Sequence, residues 1–246
     1  MKILLNSDLG ESFGIWNMGA DEDIMKLIDM ANIACGFHAS DPLTMDKTVK
    51  FAKKNSVSIG AHPGYPDLVG FGRRSIKCSS KEIESFIIYQ CGALEAICIA
   101  NDVHVEYVKP HGALANDMMK SEPVFLAILR AVSSYNKKLK LMILSSNKND
   151  YYEKLAKPFG VKLIYEVFAD RAYTKDGFLV PRTQKGAVIH SAEVVMSRIK
   201  LLKTTGKLTT VDGNKIDMKA DSICVHGDNK KALDLVKSLR EFVDEV

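Results

Sequence analysis

Lys109 and His111 flank a proline in the run Tyr107-Val108-Lys109-Pro110-His111-Gly112-Ala113-Leu114, just after a short apolar segment. A lysine at the end of a buried strand must be paired or neutralised, so packing alone does not account for it. Its fixed charge suits a developing oxyanion or a phosphoryl group, and a histidine beside it suits proton transfer. Asn6-Ser7-Asp8-Leu9-Gly10-Glu11 sets two carboxylates around a glycine at another strand end. One of them can act as a base or metal ligand while the other orients it; the plainer alternative is a helix cap and a solvated acid. His38 in ANIACGFHASDP and His62 in GAHPGYP repeat one arrangement, a buried strand followed by a histidine and a stiff turn. A lone histidine in such a place is more often structural, but the recurrence favours function.

Other strand ends add to this set. Arg73 and Arg74 follow Gly70-Phe71-Gly72, which lacks the third glycine of a dinucleotide fingerprint. Paired guanidinium groups there suit a lid or a carboxylate or phosphate grip, unless they are simply solvated. Glu166, Asp170 and Arg171 close a further apolar run, and His226 closes the last. Asp228 reads as the cap of the final helix, and His104 and His190 as surface residues. No G-x-x-x-x-G-K-[ST] loop occurs, so any ATP bound here uses another kind of site.

The elements that position these residues alternate. Strand-like runs fall at Ile3–Asp8, Ala31–Gly36, Val57–Ala61, Val105–Val108, Leu139–Leu144, Val161–Phe168 and Asp221–Val225. Between them lie amphipathic stretches with recognisable starts. Asp41 caps a helix opening on Pro42 and running to about Asn55, and Ser79 with Glu82 forms a capping box. Ser121 and Ser191 begin further helices, the second ended by Gly206. Asp212-Gly213 marks a hairpin within Lys207–Met218. About seven strand–helix alternations demand a parallel sheet. Because nearly every strand ends in a polar residue, a closed (β/α) barrel with one shared mouth is expected, over residues 1–246 as a single domain.

Six runs taken together resemble the LamB/YcsF family: NSDLGESFG, ANIACGFHASDP, GAHPGYPDLVGFGRR, VKPHGALAN, EVFADRAY and CVHGD. The resemblance spans residues 6 to 228. It implies an α/β fold, a seven-stranded (β/α) barrel of the glycoside hydrolase/deacetylase type. It also implies the role of the A subunit in ATP-dependent cleavage of 5-oxo-L-proline to L-glutamate, together with subunits B and C. ATP, with Mg, is the implied cofactor, and a divalent metal is a further candidate. On this reading Asp8, His38, His62, Lys109 and His111 are catalytic. Glu11, Arg73, Glu166, Asp170, Arg171 and His226 bind substrate. Ser7, Ser40 and Ala115 depart from the residues usual in the family at those positions, which are Cys, Gly and an aromatic.

Two rival readings remain at this point. Asp8, His38 and His62, from three successive strand ends, would suit Zn²⁺ in a stand-alone metal-dependent deacetylase or amidohydrolase. The chain could equally be a non-catalytic substrate-binding subunit. Composition narrows the classes further: the 246 residues carry a net charge of +4 without a basic stripe, which argues against nucleic acid. Five cysteines without a C-x-x-C pair read as buried free thiols in a reducing cytoplasm. No stretch reads as a signal peptide or as the ~20 apolar residues of a membrane span.

Overall fold

The computed structural model describes residues 3–226 and 230–245; Asp228, expected as a helix cap, lies outside them. Its strands are β1 (Leu4–Leu9), β2 (Met30–Ala34), β3 (Ser58–His62), β4 (Val105–Val108), β5 (Lys140–Leu144), β6 (Leu163–Phe168), β7 (Lys207–Thr209), β8 (Lys215–Asp217) and β9 (Ser222–Cys224). β1 to β6 and β9 close into a parallel barrel in chain order, and β7 with β8 forms a separate antiparallel hairpin around Asp212-Gly213. β1 closes the ring by pairing with β9, Leu4 opposite Ser222 and Asn6 opposite Cys224. The helices are α1 (Asp21–Ile24), α2 (Pro42–Lys54), α3 (Ser80–Ala100), α4 (Gly112–Lys120), α5 (Glu122–Tyr135), α6 (Asn149–Ala156), α7 (Ala192–Thr205) and α8 (Lys230–Asp244).

The starts read from sequence hold locally. The Asp41 carboxylate accepts from the amides of Leu43 and Thr44, and Ser79 and Glu82 close their capping box. Ser191 caps α7, which ends on Gly206 in the left-handed region. Among the helices whose starts are described, α1, α4, α5 and α6 have no side-chain cap, Ser121 preceding α5 without bonding to it. α4 starts directly at Gly112, so nothing in its first turn advertises a helix.

One expectation needs correcting. At 21 residues α3 is long and apolar enough to cross a membrane by length and composition. It is nonetheless a wall helix of the barrel: Ile83, Ile87, Cys91, Leu94 and Cys98 are buried in the common core, and it packs on α5. All five cysteines are free thiols.

The barrel interior is layered. Met30, Tyr107, Met142 and Ile164, with Leu4 against them, form an apolar plug distinct from the core between strands and helices. An amide layer lies above it. The Tyr107 hydroxyl donates to Asn32 Oδ1 (2.7 Å), Asn32 Nδ2 donates to Asn6 Oδ1 (2.8 Å), and Asn6 Nδ2 donates to the Ser222 hydroxyl (2.8 Å). Buried amides are tolerable because each finds a partner. The charged layer sits above the amides, at the mouth.

Candidate active site

Lys109, just beyond β4, reaches across the barrel. Its ammonium lies 2.7 Å from Asp8 Oδ1 on β1 and 2.7 Å from Glu166 Oε1 on β6, with Cys224 Sγ at 3.5 Å. Asn32 Nδ2 also donates to Asp8 Oδ1 at 2.8 Å, so the amide layer orients the carboxylate. Burial opposes a charge on Lys109, yet Asp8 and Glu166 outweigh it and hold its pKa well above the ordinary value. Burial likewise opposes the Asp8 charge, but His62 and Lys109 draw its pKa well below the ordinary one. The two carboxylates thus favour the charged ammonium, which lies 5.3 Å from the Phe168 ring.

A second cluster adjoins the first. Gly10 ends β1 in the left-handed region (φ 69°) and turns Glu11 back toward the mouth; a Cβ there would meet Thr48 Oγ1 at 3.1 Å. His62 Nδ1 donates to the Lys109 carbonyl at 2.6 Å, and its Nε2 lies 2.9 Å from His111 Nδ1. His111 Nε2 donates to the Phe71 carbonyl at 2.9 Å. That carbonyl is presented by two successive left-handed residues, Phe71 (53°) and Gly72 (62°). A Cβ on Gly72 would fall 2.8 Å from His111 Cδ2 and 2.7 Å from His38 Cβ, so glycine is required there. His38 stacks flat on His111, ring centres 3.7 Å apart and 4° from parallel. Burial, then neighbouring histidines, push the pKa of His38 and His111 well below the ordinary imidazole value. Burial and the charge of Asp8 push Glu11 up.

Glu11, His38, His62 and His111 thus offer one donor atom each within 4.8 Å of one another, a group suited to a metal ion. The trio expected from strand order differs: Asp8 is turned to Lys109 and lies 3.4 Å from His62 Nε2, while Glu11 and His111 join the histidines. Strand order determines which loops meet, but backbone turns such as the left-handed φ of Gly10 decide which side chains do.

The remaining expected residues divide. Arg73 lines the mouth beside Phe71, whereas Arg74 is held on buried Asp67. Asp170 and His226 pair at 2.9 Å on the opposite rim. There burial raises and His226 more than offsets, leaving the Asp170 pKa lowered. Arg171 has another occupation: its guanidinium donates to the carbonyls of Ala187 and Val180, stitching the loop between β6 and α7. Ala115 lines the same pocket, Ser7 donates to the Val225 carbonyl, and Ser40 occupies the left-handed region (φ 77°). Asn6 and Asn32 are site residues that sequence reasoning missed. Their signal was a polar residue inside an apolar strand, on the same face as Asp8 in β1 and Ala34 in β2.

Known proteins resemble the chain along its whole length. It is 52% identical over 240 residues to the 5-oxoprolinase A subunit of Vibrio campbellii, covering 98% of this chain and 95% of the relative. With the 5-oxoprolinase A subunit of Pyrococcus horikoshii it shares 47% over 245 residues, covering 100% of this chain and 95% of that one. The crystal structure of a lactam utilization protein from Thermus thermophilus superposes with a TM-score of 0.91 at 37% identity, covering 100% and 97% of the two chains. The LamB/YcsF profile matches residues 3–246. The strand-end motifs, the seven-stranded barrel and these full-length likenesses agree that this chain belongs to the LamB/YcsF family.

Proposed function

We propose that this chain is the A subunit of an ATP-dependent 5-oxoprolinase and carries the centre that opens 5-oxo-L-proline to L-glutamate. Subunits B and C are its partners, the cytoplasm is its compartment, and ATP with Mg joins the assembled complex. Full-length similarity to relatives of that name supports the substrate class.

A five-membered lactam is a stable amide whose nitrogen leaves poorly. Transfer of the ATP γ-phosphoryl group to the lactam oxygen makes the ring carbon electrophilic. Water then adds to that carbon, and the ring nitrogen takes up a proton as the C–N bond breaks. A second water cleaves the resulting γ-glutamyl phosphate to L-glutamate and inorganic phosphate, ADP having left in the first step. Such a sequence needs a fixed cation at the oxygen, a base for water and an acid for nitrogen. Lys109 supplies the cation. Glu11, His62 and His111 hold the attacking water in place, and Asp8, 3.4 Å from His62 Nε2, takes its proton. His226, oriented by Asp170 across the mouth, delivers one to nitrogen, and Arg73 receives the substrate carboxylate.

The observation that carries this reading is the buried Lys109 ammonium held 2.7 Å from both Asp8 and Glu166 at the mouth. A deacetylase centre built on Asp8, His38 and His62 loses support, because Asp8 is committed to Lys109. The test is ATP-dependent glutamate release from 5-oxoproline, measured with this chain alone, with its partner subunits, and with Lys109→Met in the mixture. Release by the wild-type mixture and its loss in the variant are expected. No release in any mixture, or full activity of Lys109→Met, overturns the proposal.

A further inference from the structure

A backbone carbonyl oxygen only accepts hydrogen bonds, which fixes two tautomers in the second cluster. His62 carries its hydrogen on Nδ1, against the Lys109 carbonyl, and His111 carries its hydrogen on Nε2, against the Phe71 carbonyl. In neutral rings the two remaining nitrogens, His62 Nε2 and His111 Nδ1, then direct lone pairs at each other across 2.9 Å. That arrangement is repulsive without a cation beside it. Two occupants remove the repulsion, a proton or a metal ion.

A proton would satisfy this pair and nothing else. Glu11 Oε1 and both ring nitrogens of His38 are buried without a hydrogen-bond partner. Glu11 Oε1 stands 3.7 Å from His111 Nδ1 and 3.5 Å from His38 Nε2. Donors bound at zinc-like distances to one tetrahedral ion lie about 3.3 Å apart, so spacings of 2.9, 3.5 and 3.7 Å bracket that edge. His62 and His111 also give their other N–H to a main-chain carbonyl, the usual way a ligating imidazole is aimed.

We infer that Glu11, His62 and His111, with His38 as the fourth donor, bind one divalent ion of the zinc type at the barrel mouth. Imidazole nitrogens with a single carboxylate favour such an ion over Mg²⁺ or Ca²⁺, which prefer oxygen ligands. His38 ranks fourth because neither of its ring nitrogens has a carbonyl to aim it, although its Nε2 stands 3.5 Å from Glu11 Oε1. The inference deepens the reading of this pocket as the lactam-opening centre, where the ion would activate the attacking water. It rests on that reading only for what the ion does, not for whether it binds.

The full chain, stripped with a chelator and titrated with Zn²⁺, tests it by calorimetry and elemental analysis. One ion per chain is expected, with affinity falling roughly 100-fold or more in Glu11→Gln and His111→Gln and less in His38→Gln. Co²⁺ should give the visible absorption of a four-coordinate nitrogen-rich site in the wild-type chain, a reading that needs no variant to fold. No stoichiometric binding, or binding that Glu11→Gln and His111→Gln leave intact, overturns the inference. Glutamate release by a zinc-free complex supplied with Mg and ATP would overturn the ion's role in activating water and leave the proposed function standing. Zinc binding without any lactam opening would sink the proposed function and leave the site standing.

Discussion

Two halves of one barrel mouth treat their charged groups in opposite ways. Around Lys109 opposite charges face one another: the ammonium meets Asp8 and Glu166, and Asn32 donates to Asp8, though Glu166 Oε1 has the ion pair alone and no hydrogen bond. Around His38 and Glu11 buried donor atoms have no hydrogen-bond partner. Backbone strain follows the same division. Of four non-glycine residues in the left-handed region, Ser40 and Phe71 lie on loops that serve the histidine cluster, while Ser56 and Asp102 sit where α2 and α3 end. Buried charges that are fully paired belong to the folded structure itself, whereas unsatisfied ones await something that arrives later. The lysine half is thus a fixed electrostatic wall, and the histidine half is a receptor.

The hardest blow to that contrast is struck at Lys109. Replacing it with Met leaves Asp8 and Glu166 buried without their cation, so stability should fall by about 3–5 kcal/mol in chemical denaturation. If His38→Gln cost more than Lys109→Met, the two halves would not differ as described. Glu11→Gln should act in the other direction. Glu11 is a buried carboxylate pushed up by burial and by Asp8, so its neutral isostere should stabilise the metal-free chain by about 1 kcal/mol while activity drops. A melting scan paired with the glutamate assay reads both effects. Ser40→Gly sharpens the strain argument: relief of the left-handed conformation should raise stability by at most about 1 kcal/mol with activity unchanged.

The smallest effect is expected across the mouth. The Asp170 pKa is lowered in the folded chain, so its charge adds stability above its unfolded value of about 3.9, lost as pH falls through the folded value. His226→Gln should remove part of that acid-side dependence, on the order of 1 kcal/mol or less, in denaturation curves collected between neutral and acidic pH.

The barrel was legible because its signals are local. Period and capping at Asp41, Ser79 and Ser191 place elements one at a time, and polar strand ends point to one mouth. Which polar residues pair was not legible, since that depends on register across strands far apart in sequence. Glu11 reads as a substrate contact in the sequence but stands with three histidines, because a single glycine φ redirects it. Arg171 lines the mouth pocket as expected, but its guanidinium also donates to carbonyls contributed by residues 9 and 16 positions later, a bond that no local pattern announces. Helix α4 hid because its first turn begins at a residue chosen for closeness to Gly72, whose carbonyl takes the Ala113 amide, rather than for capping.

The seam between β1 and β9 sets a timetable for synthesis. Asn6 bonds to Ser222 and Ser7 to Val225, partners 216 and 218 residues apart. At ribosomal rates the first strand waits roughly 10–40 s for the segment that completes its edge. Throughout that interval β1, bearing Asp8, presents an open edge able to pair with the wrong chain. A nascent chain of this design is therefore most in need of a chaperone at its N-terminal strand, and gains its chemistry only after the last strand has been made.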